Sequence, residues 1–148
     1  MDSNEAAAAL AGISGAEHRL ADQIGPCPAW RHAAFGLVMA LLVGGASLPL
    51  LLQSTSVVVG MALVVLIVHY DRKRYGVFIN GYRRGRTLPL TLLVLGGTLV
   101  LLVAQIHARE AGLSLWTKAG ITALAFLLAV AGSVVWQRTF LAELRARP

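Results

Sequence analysis

Four long stretches of the chain are apolar on every side, with neither the two-residue alternation of a half-buried strand nor the one-sided stripe of a surface helix, and polar residues gather between them. Segments of that kind point to helices surrounded by lipid. The first runs from Ala33 to Gly45, is extended at its start by residues 29–32, and gives an expected span over 31–46. "GGAS" breaks it. Ser47 is then suited to cap a second helix, with Pro49 in the first turn where its missing N–H costs no bond, so the second span is 48–70. At ~1.5 Å per residue this length crosses a hydrocarbon core of ~30 Å. A turn at "QSTS" instead would leave only 57–69, too short to cross comfortably. The third span, 88–106, opens on Thr87, Leu88, Pro89 and Leu90, echoing Ser47 to Leu50, and the fourth, 116–136, follows the linker "HAREAGLSLWTK".

The polar segments add local structure. Ser14 followed by Glu17 matches a capping box, which predicts a short helix from Gly15 to Ile24 that stops at Gly25 and Pro26. "GPCPAW" is a stiff turn that delivers Trp30 to the membrane interface. Between the second and third spans lies "DRKRYGVFINGYRRGRT", residues 71–87, with six of the thirteen Lys and Arg residues: Arg72, Lys73, Arg74, Arg83, Arg84 and Arg86. Its Asn80-Gly81 pair favours a type I′ turn, so "YGVFI" and "YRRGR" are expected to pair as a β-hairpin with Tyr75, Val77, Ile79 and Tyr82 on one face.

Composition agrees with a bilayer as solvent: 57% of the 148 residues are hydrophobic and 14% charged. The expected architecture is an all-α integral membrane protein, four transmembrane helices in an antiparallel bundle. Residues 1–30 form a cytoplasmic N-terminal segment, 31–137 the transmembrane domain and 138–148 a cytoplasmic tail. With both termini inside, eleven Lys and Arg residues face the cytoplasm and only Arg109 and Lys118 the other side, which satisfies the positive-inside rule. Cleavage of a signal peptide at "GGAS" would leave three spans, but the leading region is long and carries acids, unlike a signal. Arg outnumbers Lys eleven to two, and Ala, Gly and Leu abound, as in GC-rich bacteria, so the expected location is a bacterial inner membrane.

Candidate chemistry is sparse. Cys27 is the single cysteine, without a partner for a disulfide, and its place between two prolines reads first as tight-turn packing. His32 and His69 lie at similar depth near Asp71, yet two scattered histidines lack the spacing of a metal site, and no metal or cofactor is expected. There is no His-Glu-x-x-His helix, no Gly-x-Ser-x-Gly elbow and no phosphate loop, so the expectation is a protein that is not an enzyme. No Asp or Glu falls inside a span, which argues against a self-contained ion-coupled carrier. Gln53, Ser56, Gln105 and Thr122 lie at matching depths near the outer side, a candidate polar path, although bonding across helices or contact with interfacial water is the more ordinary explanation. Small residues repeat every four positions at Gly36, Ala40 and Gly44, at Ala125, Ala129 and Ser133, and at Ser56 and Gly60, the pattern of close helix contacts or of a homo-oligomer.

The leading functional expectation is a non-enzymatic membrane accessory protein. It would dock a membrane or cytoplasmic protein partner, or anionic lipid headgroups, through the six basic residues of the loop. Nucleic acid is not expected, since no stacking series or recognised nucleic-acid fold accompanies the charge. The alternative is a homo-oligomeric channel or small-solute facilitator built on the outer polar cluster.

Overall fold

A computed structural model describes residues 27–75 and 87–145, together with Glu5, Gly12 and Gly15. Among these the regular structure is entirely helical: α1 (Ala29–Gly45), α2 (Leu50–Tyr75), α3 (Thr87–Glu110) and α4 (Leu115–Arg145). Three of them, α2, α3 and α4, are long and apolar enough to cross a membrane. The apolar α1 has 17 residues and is about 25 Å long. Apart from Gly15, which is helical, the expected helix over residues 15–24 lies outside the described residues, as does the hairpin beyond Tyr75; Tyr75 itself closes α2 rather than opening a strand.

The chain turns are made by local chemistry. Pro28 is extended and α1 starts immediately after it, with the Arg31 N–H bonded to the Pro28 carbonyl at 3.0 Å. At the other end of α1 the backbone tightens: Ala46, Ser47 and Leu48 donate to the carbonyls of Val43, Gly44 and Gly45. Ser47 corrects the expectation of a cap for α2, because its hydroxyl donates back to the Gly44 carbonyl at 2.9 Å and so finishes α1. α2 begins behind Pro49, whose carbonyl accepts from Gln53 at 2.9 Å. No turn forms at "QSTS". The hydroxyls of Ser54, Thr55 and Ser56 bond the carbonyls of Leu50, Leu51 and Gln53 within one continuous helix.

The turn between α3 and α4 is a Schellman motif: Leu113 donates to the Ala108 carbonyl and Gly112 to Arg109. Gly112 sits at φ +63°, where a side chain would be strained. Ser114 then caps α4, its hydroxyl accepting from the Thr117 N–H at 3.3 Å.

Three helices run past their expected ends. α2 continues from Tyr70 to Tyr75, α3 from Ile106 to Glu110 and α4 from Trp136 to Arg145, although all three extensions carry charge. On α2 the reason is visible: Asp71 is buried against α1, and Arg72, Lys73 and Arg74 lie in the last turn, where cations complement the helix dipole.

Shortest of the four, α1 is central. It packs most extensively on α4 and then on α2, α4 also packs on α3, and α1 touches α3 less. α2 and α3 therefore flank the α1–α4 pair. Residue pairings give the directions: Arg31 near the start of α1 meets Asp71 near the end of α2, and Gly44 near its end meets Thr122 near the start of α4. The small-residue stripes meet neighbours within the chain. Gly36 is so close to α4 that a Cβ there would lie 2.5 Å from Val130 and 3.0 Å from Phe126, and Ala125 and Ala129 on that side are fully buried. By contrast Gly96 on α3 is exposed with nothing nearby.

Replacing Gly36 by Leu is expected to force α1 and α4 apart and destabilise the protein by about 1–3 kcal/mol, read as a lower unfolding midpoint in mild detergent. Gly96→Leu, which meets nothing, should leave that midpoint unchanged or raise it.

Candidate functional site

The basic end of the molecule is organised by one ion pair. Asp71, 4% exposed, receives Arg31 in a forked arrangement: Nε lies 2.9 Å from Oδ1 and 3.1 Å from Oδ2, and Nη2 lies 2.6 Å from Oδ2. This fork matches the planar guanidinium to the carboxylate, the strong geometry for such a pair. The remaining Arg31 nitrogen, Nη1, points to Cys27 Sγ at 3.4 Å. One residue back along each helix, Trp30 meets Tyr70 edge to face with ring centroids 4.8 Å apart. Arg74 adds a bond from Nη1 to the Tyr70 hydroxyl at 2.9 Å. Cys27, Trp30 and Arg31 thus clamp the end of α2, the helix with α1 as its main neighbour.

Just past the clamp, Arg72, Lys73 and Arg74 are all exposed on the last turn of α2, and Arg138 is exposed on α4. Arg83, Arg84 and Arg86, with the rest of the expected hairpin, lie outside the described residues.

His32 and His69 are not brought together. His32 is buried and faces α4, where Nδ1 lies 2.8 Å from Ser133 Oγ and Gln137 bonds the ring; His69 is exposed on α2. Asp71 is committed to Arg31. Sequence reasoning missed both the Arg31–Asp71 pair and the His32–Ser133 contact. Partners 40 and 101 positions apart along the chain carry no local signal.

At the opposite end the four candidate polar residues divide into two pairs. Gln105, 1% exposed, directs Nε2 toward Thr122 Oγ1 at 3.5 Å, and the Thr122 hydroxyl donates to the Lys118 carbonyl at 2.9 Å. Gln53 belongs elsewhere: its Oε1 accepts from Arg109 Nη1 at 3.4 Å, and the same nitrogen reaches the Ala46 carbonyl at 3.4 Å. Ser56 bonds the Gln53 carbonyl and its side chain fills the space over Gly45. Among the described residues no hydrogen bond joins the two pairs. Gln105 and Thr122 line an open groove of about 420 Å³ whose walls are otherwise mostly apolar, from Ala40 and Gly44 on α1 to Phe126 on α4, with Lys118 also in its lining. Gln105 Oε1 is buried and has no hydrogen-bond partner.

No family model matches the sequence, and neither a curated protein nor a solved structure matches it.

Asp71→Asn removes the carboxylate charge and leaves Arg31, 31% exposed, poorly compensated. The expected loss is about 3 kcal/mol, the low end for a broken buried pair because Arg31 keeps some solvent. The double variant Arg31→Met with Asp71→Leu should recover most of that loss, and a double-mutant cycle on unfolding midpoints in detergent checks both.

Proposed function

We propose that this chain is a small, non-enzymatic accessory protein of a bacterial inner membrane. All four helices cross as an antiparallel bundle, with the N- and C-termini cytoplasmic, and the basic end docks a protein partner or anionic lipid. The observation that carries the reading is the exposed run Arg72, Lys73 and Arg74, held beyond the last apolar turn of α2 by the Arg31–Asp71 pair. Near an anionic surface each such cation contributes ~1 kcal/mol, and Arg83, Arg84 and Arg86 in the same connection add to the same field. α1 reaches across a thinned or locally deformed core because its neighbours are longer and Trp30 anchors its start at the interface.

Topology has a direct test. In a Cys27→Ala background, Ser114→Cys is expected to react with a membrane-impermeant maleimide added to intact cells, and Arg138→Cys to react only after lysis; the reverse pattern overturns the orientation. Function is tested by gentle extraction and native mass spectrometry. A different protein at fixed stoichiometry, or anionic phospholipid, should accompany the wild type and be lost from Arg72→Glu with Lys73→Glu while maleimide labelling stays the same. A closed homo-oligomer without such a partner would replace this reading by that of a channel or small-solute facilitator, for which Gln105 and Thr122 are the polar residues that share a groove.

A further inference from the structure

The buried Asp71 fixes a direction on α2: it faces α1, where Arg31 holds it. Successive residues of an α-helix are turned by ~100° about its axis, so Arg72, Lys73 and Arg74 point about 100°, 200° and 300° away from that contact. The three cations fan over the directions that leave α1, and all three are exposed. No two of them share a face.

Depth follows from the two bonds that cross between helices at this end. Arg31 meets Asp71 and its neighbour His32 meets Ser133, which ties the heights of α2 and α4 to consecutive residues of α1. At ~1.5 Å of rise per residue, Arg72 to Arg74 lie about 3–6 Å beyond the level of His32, and the exposed Arg138, five positions after Ser133 on α4, lies about 7.5 Å beyond it. The four charges therefore occupy a layer about 5 Å thick, comparable to the ~5–8 Å left for each headgroup region when a ~30 Å core sits in a bilayer of ~40–45 Å. Trp30, 47% exposed and set edge to face on Tyr70, marks the apolar side of that layer. Among the described residues the one carboxylate within it is Asp71, which Arg31 occupies, so the exposed charge there is all positive.

Equal depth with scattered azimuth discriminates between partners. A helix, strand or domain docked on α2 meets one face and leaves the other cations unused, and it reaches Arg138 only by spanning a second helix. Headgroups surround a membrane helix at one level and meet all four. We infer that the basic end is a lipid collar: Arg72, Lys73 and Arg138 each hold the phosphate of a separate anionic phospholipid of the cytoplasmic leaflet, in place of a docked protein. Arg74, with Nη1 on the Tyr70 hydroxyl at 2.9 Å, adds its charge beside the aromatic boundary. The inference rests on the reading of this end as a docking surface and narrows its partner to the bilayer.

The test is the preference of the protein surface for spin-labelled phosphatidylglycerol over spin-labelled phosphatidylcholine. Electron paramagnetic resonance reads it as the motionally restricted fraction in phosphatidylcholine vesicles that hold the full chain. The wild type is expected to prefer phosphatidylglycerol. Each neutralised cation weakens local association about fivefold, so Arg72→Gln, Lys73→Gln and Arg138→Gln should lower the preference by comparable steps that combine in the triple variant. All three positions are exposed, and the unfolding midpoint should stay at the wild-type value. No preference in the wild type, or one untouched by every variant, overturns the inference. So does a preference lost entirely in one single variant, which describes one shaped site. A protein of fixed stoichiometry that leaves with Arg72→Glu and Lys73→Glu, while the vesicles show no lipid preference, overturns the collar and keeps the docking reading. Absence of both the lipid preference and such a protein removes both.

Discussion

In lipid the tails outside a helix are as apolar as the side chains on it, so helices gain nothing from hiding leucine, and association depends on close contact and a few polar bonds. α2 shows what that constraint demands. Leu51, Val58 and Val65 point outward along its length, and its main neighbour is α1. What holds it there is a short set of contacts: Ser56 over Gly45, Leu42 beside Gly60, Trp30 against Tyr70, and the fork of Arg31 on Asp71. The last of these is where the apolar part of the helix gives way to its cationic turn, so one carboxylate both attaches α2 and sets where its positive charge begins.

Polar groups elsewhere obey the same constraint with less reach. Ser54, Thr55, Thr91 and Thr98 donate their hydroxyls to carbonyls of their own helices, which satisfies the donor. Of the polar contacts that reach across, His32 to Ser133 and Gln105 to Thr122 flank the α1–α4 and α3–α4 seams near opposite ends, and Arg109 on α3 reaches Gln53 on α2. Cohesion in the middle of the molecule comes instead from small residues, with Gly36 open to Val130 and Phe126, and Ala125 and Ala129 sealed behind them.

Hydropathy made the helices legible, because a run such as 57–68 has one physical reading in a chain of this composition. Helix ends were harder. Charge in 71–75 and 138–145 resembles a loop when read alone, and a partner forty positions away is what compensates the buried Asp71 on its helix. The turn "AGLS" did contain its signals, a glycine for the positive φ and a serine for the cap, yet they are easily passed over inside a polar linker. For the candidate site, matched depth in the sequence grouped Gln53 with Gln105 and Thr122, whereas Gln105 meets Thr122 and Gln53 faces Arg109: depth fixes height along a helix and says nothing about its azimuth.

The central pair has a consequence in time. α1 leaves the ribosome before α4, and His32 waits for a partner 101 residues behind it. At roughly 5–20 residues per second that interval is about 5–20 seconds, during which the shortest helix can gain α2 and its Arg31–Asp71 bond but not its largest neighbour. Assembly order is thus written into the seating plan: the hairpin of α1 and α2 must survive as a nascent intermediate, held by its one ion pair and its aromatic contact, until the far end of the chain arrives to close the seam.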